Sequence, residues 1–113
     1  PIDGIDRRAI EIVREAMREV VANERGTGRA SALPGIAVAG KTGTAQNPQG
    51  NDHALFVAYA PADDPAICIA IVLENAGHGG SMAAPIARRV LAAFFNPLGT
   101  SELAAAPASG ARE

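Results

Sequence analysis

Val38-Ala-Gly-Lys-Thr-Gly-Thr-Ala-Gln46 holds the one lysine among the ten basic residues of this 113-residue chain. Threonines at 42 and 44 place a hydroxyl on every second residue after Lys41, with Gly43 between them. In an extended strand alternate side chains share a face and repeat roughly every 6.6 to 6.8 Å. The stretch therefore reads as a strand presenting two hydroxyls side by side, near one ammonium. Gly43 lacks a Cβ, so a second backbone can approach closely. Two hydroxyls, a cation and open backbone amides form a site for a carboxylate or a developing oxyanion. Lys41, Thr42, Gly43 and Thr44 read as the wall of an active site.

Three strand candidates radiate from this reading: Ile36 to Gln46, His53 to Ala60, and Ala66 to Glu74, the last rich in Ile and Val. Asn47-Pro-Gln-Gly-Asn51 and Pro61-Ala-Asp-Asp-Pro65 are the turns between them. Connections of about five residues favour antiparallel neighbours, because a parallel return needs a longer crossover. The expectation is a three-stranded antiparallel meander with the Lys41 strand on its outside, where a peptide can lie alongside.

A helix is expected before the meander, from about Asp6 to Glu24. Ile5, Ala9, Ile12, Val13, Ala16, Met17, Val20 and Val21 recur at helical spacing as one apolar stripe. Asp3 or Asp6 can cap its start, and Gly26 suits a left-handed residue past its end. A second helix is expected to start between Met82 and Pro85 and to reach Phe95, with Met82, Ile86, Val90 and Phe94 packed on the sheet. Pro85 fits only a first turn and biases Ala84 away from helical geometry. Asn75-Ala-Gly-His-Gly-Gly-Ser81 is a glycine-rich corner ahead of it. The fold class is α+β: helix, meander, helix. From Asn96 on, Pro, Ala, Ser and Gly dominate without an apolar period, so residues 97–113 are expected to be a disordered tail.

With 48% apolar residues, 19% charged residues and a net charge of −2, the chain carries no basic excess to suggest nucleic acid. Cys68 stands alone, which excludes an internal disulfide, and its apolar run reads as core. His53 and His78 have no third ligand at a metal spacing. His53 reads as structural or surface, and His78 as shaping the glycine corner. Asp63 and Asp64 read as a solvated turn pair.

Gly35-Ile-Ala-Val-Ala-Gly-Lys-Thr42 satisfies the spacing of a phosphate-binding loop. That loop needs a strand before its first glycine and a helix near its lysine. Arg29 to Pro34 is a poor strand, and Gly43 and Pro48 oppose the helix. A surface lysine guarding an edge strand is the bland alternative. It leaves unexplained two glycines and two in-phase threonines within five residues.

Lys41-Thr42-Gly43 also matches the K-T-G element of penicillin-binding proteins and class A β-lactamases. Leu33 to Gln46 resembles the corresponding strand of class B penicillin-binding proteins, the peptidoglycan D,D-transpeptidases. Asp52-His-Ala-Leu-Phe-Val-Ala-Tyr-Ala-Pro61 resembles their next strand. Glu74 to Ala87 is similar to the elongation-type, penicillin-binding protein 2-like subgroup. The resemblance spans about residues 7 to 95.

The resemblance implies a five-stranded antiparallel sheet with helices on both faces, of which residues 1–96 would supply the last three strands and last helix. It implies catalytic parts for Lys41, as positive potential in the cleft, and for the Thr44 backbone N–H, as half of an oxyanion hole. Thr42 and Thr44 would offer hydroxyls to the carboxylate of a stem peptide or a β-lactam. The implied partners are peptidoglycan stem peptides, β-lactam antibiotics and the remainder of the same transpeptidase domain. No metal or organic cofactor is implied, and the parent would be anchored in the cytoplasmic membrane, facing the cell wall.

None of Ser31, Ser81, Ser101 and Ser109 has a lysine three residues on, so the Ser-x-x-Lys nucleophile is expected upstream of Pro1, and this chain alone is expected to be inactive. A missing strand would leave a sheet edge open to self-association. The alternative function is a non-catalytic module, either phosphate- or nucleotide-binding or a degenerate penicillin-recognition domain.

Overall fold

Alternation in His53-Ala-Leu-Phe-Val-Ala-Tyr-Ala60 sorts this strand into two faces. Ala54, Phe56, Ala58 and Ala60 are buried, while Val57 between them is exposed. The computed structural model describes residues 2–96. It runs α1 (Arg7–Ala22), a 3-10 turn (Arg29–Ser31), β1 (Ala39–Ala45), β2 (His53–Ala60), β3 (Ile67–Leu73), a π-type turn (Gly79–Ala83) and α2 (Ala84–Phe95). The strands form one antiparallel meander in the order β1-β2-β3, so the Lys41 strand lies at an edge, as expected. The expected tail lies outside the described residues.

Phe56 and Leu91 are the large apolar side chains that are fully buried; around them the core is mostly alanine. Ile67, Ile69, Ile71 and Leu73 pair with Ala60, Ala58, Phe56 and Ala54 and pack against that core. From α2 the core receives Ala84, Ala87, Leu91 and Ala92. This corrects the expected packing. Met82, Ile86, Val90 and Phe94 are exposed, with Phe94 at 50%. The small side chains face the sheet because they let the helix approach closely. Ala84 is helical (φ −61°, ψ −40°) despite preceding Pro85, because the turn of residues 79–83 already leads into the helix.

α1 starts as expected, with Asp6 Oδ1 accepting from the Arg8 N–H at 2.9 Å. It stops at Ala22, two residues before the expected end. Asn23 is extended, and its Oδ1 accepts from the Arg25 N–H at 2.9 Å, a local turn that competes with the helix. Gly26 is not left-handed; a Cβ there would strike the Val20 carbonyl. The apolar stripe of α1 is mostly unburied: Ile5, Ile12 and Val13 are exposed, and only Val21 is buried. An open groove lined by Ile10, Val13, Met17, Tyr59 and Cys68 lies between α1 and the β2–β3 part of the sheet. Cys68 is exposed, not core. An ion pair from Arg18 to Asp63 ties α1 to the β2–β3 turn.

Candidate active site

Direct cross-strand partners share a face of the sheet. Thr42 is opposite Phe56 and Thr44 is opposite Ala54, so both hydroxyl-bearing residues belong to the face that holds the core. Lys41, opposite Val57, starts from the other face. Its chain curls back, and Nζ donates to the Thr42 carbonyl at 2.6 Å. The ammonium thus binds the backbone of its own strand, at the carbonyl of the first threonine.

Each threonine meets a partner that local sequence does not announce. Thr42 Oγ1 lies 2.9 Å from Thr27 Oγ1. One proton is shared across that contact; the second remains free to donate. Thr44 Oγ1 lies 3.5 Å from His78 Nδ1. Thr27 precedes the 3-10 turn, and His78 sits in the glycine corner. These contacts span 15 and 34 residues, respectively. No period or motif links such positions, so a sequence reading reaches His78 only as a corner residue and misses Thr27.

A second backbone does approach Gly43, but the missing Cβ that permits it belongs to Gly79; a Cβ on Gly43 would meet only the Leu55 side chain, at 3.4 Å. A Cβ on Gly79 would lie 2.7 Å from the Gly43 carbonyl oxygen and would strike the Leu55 carbonyl. A Cβ on Gly80 would strike the Thr27 carbonyl. The corner thus rests on β1, on β2 and on the Thr27 segment together. Its upstream side is laced by side chains. Asn75 N–H donates to His53 Nδ1 at 3.0 Å, and Asn47 Nδ2 donates to Asn75 Oδ1 at 2.6 Å. Gly77 N–H donates to the Asp52 carbonyl at 2.8 Å.

Lys41 lies within β1, with no helix starting beside it, so the Gly35–Thr42 spacing forms no phosphate cradle. Among the described residues, no group of three His, Cys, Asp or Glu side chains converges as a metal site.

An antiparallel sheet backed by a helix, with Lys-Thr-Gly on its outer strand, fits the K-T-G element of serine acyl-transfer domains. The family model described as "Penicillin binding protein transpeptidase domain" matches residues 3–92, and the chain belongs to that family. The peptidoglycan D,D-transpeptidase MrdA of Haemophilus influenzae is 43% identical over 104 residues, covering 78% of this chain and 16% of the relative. The D,D-transpeptidase domain of a peptidoglycan glycosyltransferase from Eggerthella lenta superposes with a TM-score of 0.73 at 38% identity, covering 88% of this chain and 22% of that one. Penicillin-binding protein A of M. tuberculosis, as its imipenem acyl-enzyme, does so with a TM-score of 0.64 at 34% identity, covering 80% of this chain and 20% of that one. The chain thus spans about a sixth of the MrdA relative.

Proposed function

We propose that this chain is the C-terminal portion of a peptidoglycan D,D-transpeptidase domain and supplies its Lys-Thr-Gly wall. The observation that carries the reading is the edge strand itself, with Thr42 and Thr44 on one face under a corner that fixes their partners. The nucleophilic serine and its base come from the rest of the parent, since no serine here has a lysine three residues on.

In the parent reaction the serine oxygen attacks the carbonyl of the penultimate D-alanine, and the terminal D-alanine leaves as an amine. An amine of a second stem peptide then attacks the serine ester, forming the cross-link and releasing the serine. The negative oxygen of each tetrahedral intermediate is held by the Thr44 N–H. Loss of one such donor costs about 10²–10³ in rate. Thr42 and Thr44 donate to the terminal carboxylate, and Lys41 adds positive potential where both charges sit. A β-lactam carboxylate takes the same place, consistent with the acyl-enzyme form of the mycobacterial neighbour. The parent is anchored in the cytoplasmic membrane, with this domain on the cell-wall side. The isolated chain self-associates through its open sheet edge.

Fluorescent penicillin labelling of the parent protein and of this chain side by side tests the reading. The parent should label, the chain should not, and Lys41→Ala in the parent should slow labelling by at least about tenfold, the effect of losing ~1.4 kcal/mol at the barrier. Labelling of the isolated chain, or a parent indifferent to Lys41→Ala, would overturn it.

A further inference from the structure

We propose that His78 is a positioning residue for Thr44, its Nδ1 deciding whether the Thr44 hydroxyl offers a proton or a lone pair to a substrate carboxylate. The inference rests on the transpeptidase reading and deepens it. The two imidazoles of the chain differ in what they do. His53 Nδ1 is occupied by the Asn75 backbone N–H, a structural tie. The His78 ring makes no other side-chain hydrogen bond among the described residues, is exposed, and faces the hydroxyl of the reactive strand.

Its place is fixed from both sides. Gly77, at φ +92°, adopts a conformation that side-chain-bearing residues rarely take, and its N–H is bound to Asp52. Gly79 is pressed against Gly43 and Leu55. The His78 carbonyl accepts from the Met82 N–H at 3.0 Å and from Ser81 Oγ at 3.3 Å, at the start of a π-type turn. Such turns occur frequently at functional sites. These contacts tie the backbone on both sides of the ring.

The chemistry follows from proton bookkeeping. A Nδ1–H that donates to Thr44 Oγ1 leaves the threonine proton free to donate outward to a carboxylate. A bare Nδ1 instead takes that proton and leaves only lone pairs facing the anion. The 3.5 Å separation is long for a formed bond. Site hydrogen bonds are often long without ligand and tighten in the complex.

The test is acylation of the parent by a carboxylate-bearing penicillin and by its neutral ester, with affinity before acylation separated from the acylation rate. His78→Ala and His78→Phe leave the Thr44 hydroxyl free to rotate rather than held with its proton outward, and should weaken affinity for the carboxylate form by about threefold to tenfold, the scale of one neutral hydrogen bond. Ester affinity and the acylation rate should change by less than about twofold, small beside that hydrogen-bond scale. His78→Asn, whose amide nitrogen can take the Nδ1 place, should restore affinity, and in a Thr44→Val background all three variants should be equal. Equal losses for acid and ester, a loss confined to the acylation rate, or Asn no better than Phe would overturn the proposal. A wild-type parent that no penicillin acylates would overturn the transpeptidase reading instead, and this inference with it.

Discussion

Gly79 occupies the narrowest point of the site, where the corner crosses Gly43 and the Leu55 carbonyl. Adding one methyl there forces the corner off the sheet and moves His78 from Thr44. Gly79→Ala should cost about 1–3 kcal/mol of stability, the usual range for overpacking, read from the denaturant midpoint of the parent domain. A midpoint unchanged by that variant would show that the corner gives way freely. Thr42→Val makes the complementary change. It removes a hydroxyl without adding bulk and frees the Thr27 hydroxyl to face solvent. Affinity for a carboxylate-bearing penicillin should fall about tenfold while stability shifts by under ~1.5 kcal/mol. That Thr42 and Thr44 share one face of a strand is legible in the sequence because the message is local: period two around a glycine. Thr27 and the His78 contact are not, because they depend on where the chain returns after a turn and a meander.

At the level of elements, the order of the strands reads cleanly. β1 nevertheless starts at Ala39, three residues after the expected Ile36, because Ile36 pairs with Leu33 in a bridge of its own. Short turns and β-branched runs fix a meander with little competition, and β2 falls at its expected bounds. In α2 the bulky residues at four-residue spacing outshine a stripe of alanines, yet contact with the sheet goes to the alanines and Leu91. Size misleads here, because a helix lying close to a sheet buries its small face. The resulting prediction separates adjacent residues. Leu91→Ala, with its side chain fully buried, should destabilise the isolated chain by about 2–5 kcal/mol, whereas truncating solvent-facing Val90 in the same chain should stay within about 0.5 kcal/mol. Thermal or denaturant unfolding of each variant measures both. A Val90→Ala loss as large as that of Leu91→Ala would mean that the outward stripe is buried in solution.

Taken as one molecule, the described chain buries few large side chains and exposes many. Val57 and Val72 stand exposed on the sheet, Ile86, Val90 and Phe94 on α2, and Ile12 and Val13 on α1. β3 pairs with β2 on one side, and no described strand pairs with its other edge. An unpaired edge presents a row of N–H and C=O groups that another strand can bond, and apolar side chains beside it add burial to pairing. In the parent, that edge and those side chains would be covered by the rest of the domain. In the isolated chain, the nearest substitute is a second copy of the same edge. Sedimentation of the chain over a concentration series should therefore show reversible self-association. Val72→Lys, which places a charge on the open face of β3, should shift the population to monomer without altering far-ultraviolet circular dichroism. A wild-type chain that stays monomeric at the highest concentration would show that the edge is closed by something within the chain itself. A Val72→Lys chain that still associates would move the contact from β3 to the apolar stripe of α1 or α2, and Val13→Lys and Val90→Lys would then tell those two apart.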